Sequence, residues 1–176
     1  QAHSGITEAT LYRDQAYNFY WMGKLVERAD QASRLLDVGF TRAQKLGYGD
    51  ADAGENLSHW TALLRSVGGY QAYRRTHPIH LRSHEITDFI LLNISFPRSV
   101  NYCIEEIRDN MVQLIDSQDV ENAREAMQAL EIIRKQLAGA DVQLLVTSGL
   151  HEFADTLQQQ LTDFTQVLAK GCFGQD

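Results

Sequence analysis

Apolar residues recur along this chain at the three- and four-residue spacing of α-helices, not at the alternation of half-buried strands. The longest such pattern runs from about Gln15 to Lys45, with Asp14 placed as its N-cap and Gly47 and Gly49 at its end. Steps of about 100° put Tyr17, Trp21, Leu25, Arg28, Ala32, Leu35, Leu36, Gly39 and Phe40 on one broad face. Glu27, Arg34 and Val38 fall outside it. A buried guanidinium without a partner is very costly. Arg28 is therefore expected to be largely buried and paired with an acid or carbonyl of another helix. Asp88, Glu105, Glu106 and Asp155 are the candidate acids, and the sequence does not choose among them.

The same pattern continues downstream. Trp60, Leu63, Leu64, Val67 and Tyr70 predict a helix over about 57–75, after a small, acidic loop at 49–56. Pro78 interrupts the chain, and 83–93 reads as a short apolar helix in preference to a strand. Pro97 suits the first turn of a helix over about 97–117 with Val100, Ile104, Ile107, Met111 and Leu114 inward. Asp119 is placed to cap a helix of about 120–138 with Ala123, Met127, Leu130, Ile133 and Leu137 inward, ended by Gly139. The last pattern, about 141–170 with a break at Ser148–Gly149, lines up Leu150, Phe153, Leu157, Leu161, Phe164 and Leu168. The expected architecture is a single-domain, all-α bundle of about five or six helices over 14–173, preceded by an arm or linker at 1–13.

Composition refines this picture. With 176 residues the chain is long enough for one real core. Its net charge of −7 argues against a broad nucleic-acid surface, which needs a basic excess. No apolar run is long enough to span a membrane, and no signal-peptide pattern opens the chain. The two cysteines are too few for a disulfide framework, which makes a reducing cytoplasm the expected location. Cys103 reads as a small buried hydrophobe, and Cys172 as exposed near the end. The start at Gln1 leads to the expectation that the chain is a piece of something longer.

Candidate chemistry is sparse. Glu27–Arg28 offers an inter-helix anion site or, as the favoured reading, a buried charge that fixes register. His77, His80, His84 and Glu85 have a metal-like composition, but Pro78 breaks the helix that would align them, so no metal is expected. "YQAYRR" interleaves Tyr70 and Tyr73 with Arg74 and Arg75; together with Arg65 and Arg82 it is a candidate anion or partner patch. His151 and Glu152 are a candidate pocket pair, but neighbours on a helix do not face each other. No phosphate loop, CxxC pair or Glu-x-x-His bundle motif is present, and neither a catalytic residue nor a cofactor is assigned.

The stretch "YNFYWMGKLVERADQASRLLD" is similar to the helix that gives the alpha-E domain family, a bacterial all-helical family, its "ER" pair. "HWTALLRSVGGYQAYRR", "FILLNISFPRSVNYCIEEIR" and "GLHEFADTLQQQL" resemble further segments of that family in the same order. The resemblance covers about Thr7 to Phe173 and is closest to the second half of longer, two-part members. It maps the ER pair onto Glu27 and Arg28. It implies protein partners, an ATP-grasp-type ligase and a transglutaminase-like protein encoded alongside, with self-association left open. The function it implies is that of an accessory module in peptide or amide-bond formation or modification. Two alternatives stand beside it. One is an aminoacyl or amide transferase with a pocket around Arg28, Tyr70, Arg74 and His151; the other is an RNA-binding module using Arg65, Arg74, Arg75 and Arg82.

Overall fold

A computed structural model describes residues 12, 15–47, 54–78, 80–117 and 121–173. The described residues form eight α-helices and no strand: α1 (Gln15–Lys45), α2 (Gly54–Ser66), α3 (Tyr70–Thr76), α4 (Ser83–Leu91), α5 (Val100–Ser117), α6 (Glu121–Ala138), α7 (Val142–Thr147) and α8 (Leu150–Phe173). Four long helices make a bundle in which α1 packs on α5 and α8, and α6 packs on the same two. Helices α2 and α4 lie against α1, and α7 packs on α4 and α8. Among the described residues no helix is long and apolar enough to cross a membrane.

The all-α expectation holds, and the helix count is higher because two expected helices are each split in two. The 57–75 pattern breaks after Ser66. Gly68 takes a φ of +69°, where a side chain is strained, and the turn closes through Gly69 N–H to the Leu64 carbonyl and Gly68 N–H to the Arg65 carbonyl. This paired closure is the usual left-handed glycine end of a helix, and the periodicity across it concealed the break. The final pattern breaks at Gly149, as expected, with φ at +106°. Residue 97 lies before α5, not within it. The Ser99 hydroxyl accepts the Tyr102 N–H at 3.0 Å and so fixes the helix start three residues later.

The buried face of α1 is rotated from the expected one. Met22, Leu25, Ala29, Ala32, Ser33, Leu36, Phe40 and Ala43 are buried, while Tyr17, Trp21, Arg28 and Leu35 are half-buried. Two long helices grip α1, so its core face centres between them and Arg28 stands on the flank. The expected inward sets of α5 and α8 are buried, apart from half-buried Phe153. On α6, Met127 is half-buried and Ala126 takes its place in the core. Arg134 ties α6 to α5 through Glu105 at 2.8 Å and also holds Glu131 at 2.8 Å. The 1–13 arm apart from exposed Tyr12, the Asp14 and Asp119 caps, most of the 49–56 loop and the Cys172 side chain lie outside what is described.

Candidate functional site

Arg28 opens onto a cleft walled by α1, α2 and the segment before α5. Its lining is Arg28, Gln31, Ala32, Leu35, Ser66, Val67 and Arg98. The cavity is small, about 20 Å³, room for about one or two waters. Arg28 is half-buried, and its guanidinium lies over the Trp21 ring at 5.1 Å from the centroid. That contact holds the guanidinium against the ring. Among the described residues Arg28 forms no ion pair, so the expected acid partner is not found among them. The four candidate acids are placed otherwise. Glu105 belongs to Arg134, Asp155 faces His151 at 3.5 Å, the charge of Glu106 acts on the Tyr102 phenol, and Asp88 is exposed.

Arg98 reaches the cleft from a segment that is well pinned. Ser95 N–H is held by the Asn93 side chain at 2.9 Å, Ser99 donates to the Asn93 carbonyl, and Asn101 donates to the Leu92 carbonyl at 3.2 Å. The Arg98 side chain lies over Gly68, whose missing Cβ would sit 3.6 Å from Arg98 Cδ and Nε. Among the described residues Arg98, too, forms no ion pair. The charges are felt below the cleft. Burial pushes the Cys103 thiol up to about 12, while Arg28 and Arg98 pull it the other way. Burial and then Glu106 raise the Tyr102 phenol, again against Arg28. Cys103 is thus the buried hydrophobe expected, and not a nucleophile.

Glu27 faces elsewhere. It is exposed, accepts from Gln31 Nε2 at 3.0 Å, and lines an open groove between α1 and α8 with Gly23, Val26, Asp30 and Arg34. The two residues of the ER pair therefore serve different surfaces, as their 100° separation requires.

The other candidates scatter. Tyr73 is not a surface ring: it is fully buried, stacks on His77 at 4.5 Å, and donates to Glu85 at 3.2 Å. Arg65 lies over Tyr70 at 5.2 Å; Arg75 and Arg82 are exposed and Arg74 is half-buried. Tyr70, Arg74 and His151 are not among the residues lining the Arg28 cleft, so the convergent transferase pocket is not formed there. His151 pairs with Asp37 and not with Glu152: Nδ1 is 3.1 Å from both Asp37 carboxylate oxygens. Asp37, His151 and Asp155 each offer a ligand atom within 4.8 Å of the others, a spacing that exposed groups also show without a metal. Sequence reading missed Asp37 and Arg98. Nothing local marks either of them, because each meets its neighbours only through helix packing.

Over residues 1–173 the chain matches the model of the Alpha-E family, described as a predicted alpha-helical domain with a conserved ER motif. No curated protein and no solved structure matches the chain.

Proposed function

The chain belongs to the Alpha-E family, and we propose that it acts as a helical module partnering an ATP-grasp-type ligase in the formation or modification of peptide or amide bonds. A transglutaminase-like protein is the second partner in this reading, and the cytoplasm its setting. One observation supports a binding role over a chemical one. Among the described residues the Arg28 cleft is lined by two arginines and by no Asp, Glu, His or Cys. Such a lining orients an anionic group but has nothing in it to take up or deliver a proton near neutral pH. The test is co-purification of the chain with the ligase encoded beside it, followed by an ATP-dependent ligation assay with and without the chain. A stable complex and a ligation rate that collapses when the chain is left out are expected. No complex together with an unchanged rate overturns the reading.

A further inference from the structure

We propose that the cleft between Arg28 and Arg98 is a carboxylate site, taking the free carboxylate of an amino acid or peptide. Two like charges line one small cleft, each without an ion pair among the described residues. Both are held there by structure that has other reasons to be rigid. Trp21 supports the face of Arg28, and the pinned 93–99 segment carries Arg98 across Gly68. An anion in a cleft lined by two arginines, with no acid among the described lining residues, gains charge attraction and charge-assisted hydrogen bonds. Gln31 adds a donor, since its amide gives one N–H to Glu27 and has a second.

The lining favours carboxylate over phosphate. The cleft has room for about one or two waters, about 20 Å³, which a carboxylate's two oxygens can replace. Ala32, Leu35 and Val67 form an apolar wall suited to the carbon chain beside a carboxylate. The flat fork of arginine takes carboxylate and phosphate alike, so the apolar wall is what favours carboxylate. This deepens the partner-module reading by naming the group the cleft takes. It rests on that reading for the cleft's being a binding site, but not on who the partner is.

The experiment uses the chain alone at low salt, with calorimetric and NMR titrations. The probes are N-acetylalanine for an α-carboxylate, N-acetylglutamate α-amide for a side-chain carboxylate, N-acetylalaninamide as the uncharged control, and inorganic phosphate. Saturable binding of at least one carboxylate is expected, with the amide silent and phosphate weaker; the stronger of the two carboxylates identifies the source. Arg98→Gln should weaken binding about tenfold or more, since a charge-assisted contact is lost. Arg98 is exposed, so this variant should melt like the parent. Arg34→Gln, which removes an exposed arginine paired with Asp30 outside the cleft, should leave binding unchanged. Equal binding of acid and amide, tighter binding of phosphate, or an Arg98→Gln variant that binds normally each refute the site. Ligase co-purification is scored separately, so loss of the complex with carboxylate binding intact counts against the partner and not the cleft.

Discussion

Arg28→Met separates a charge that holds the fold together from one kept for binding. A buried ion pair that loses one partner typically costs about 3–5 kcal/mol, because the other charge is stranded. Arg28 has no such partner among the described residues. Its one fixed contact is the face of Trp21 at 5.1 Å. A cation over an aromatic ring contributes about 0.5–1 kcal/mol when exposed and about 2 kcal/mol when desolvated. Half-burial places Arg28 between these limits. Methionine keeps an unbranched stem against Trp21, and sulfur over or beside the ring returns about 0.3–1.5 kcal/mol. The net loss should therefore stay within about 1 kcal/mol. Urea unfolding of parent and variant at pH 7 measures it, provided the m-values agree. A loss of about 3 kcal/mol or more would mean that Arg28 is an essential buried pair after all.

Three further outcomes follow from the packing. A Cβ at Gly69 would stand 2.9 Å from both Phe89 and Phe96, which are buried and stacked at 4.5 Å; Gly69→Ala should cost about 1–3 kcal/mol by overpacking, read as a lowered urea midpoint. The His151 imidazole is raised above its ordinary 6.5 first by the hydrogen bond it donates to Asp37, then by the charges of Asp37 and Asp155. A raised folded-state value means that the stabilisation is fully present below 6.5 and is lost as pH rises through the folded value. The melting-temperature advantage of the parent over Asp37→Asn should thus shrink with rising pH, and an advantage that grows would contradict the geometry. In a Cys172→Ser background, Cys103 should resist a thiol reagent at pH 8 until denaturant is added, because burial pushes its thiol up to about 12.

Much of the fold was legible because helix phase is local. Repeating backbone dihedrals convert a spacing of three and four into a face, so the α5 and α8 core sets could be read directly. The glycine pair at 68–69 was harder. Val67 and Tyr70 kept the apolar rhythm across a turn, and rhythm alone does not reveal a left-handed residue. Pro97 misled in a similar way: proline suits a helix start, but the hydroxyl of Ser99 was the stronger cap.

By itself the sequence determined that Glu27 and Arg28 point in different directions; it put Arg28 within the apolar stripe, whereas the structure has it half-buried on the flank. It also determined a family whose model spans 1–173. Only the tertiary structure decided what Arg28 meets. The rotation of the α1 core face depends on which two helices grip it, and no residue of α1 encodes that choice alone. The cleft exists because a glycine turn after α2 and a pinned segment before α5 arrive beside the same flank. Asp37 and His151 meet for the same reason, 114 positions apart. Pairing across helices is set by the packing of the whole core, whereas the direction a side chain leaves its own helix is set within a few residues.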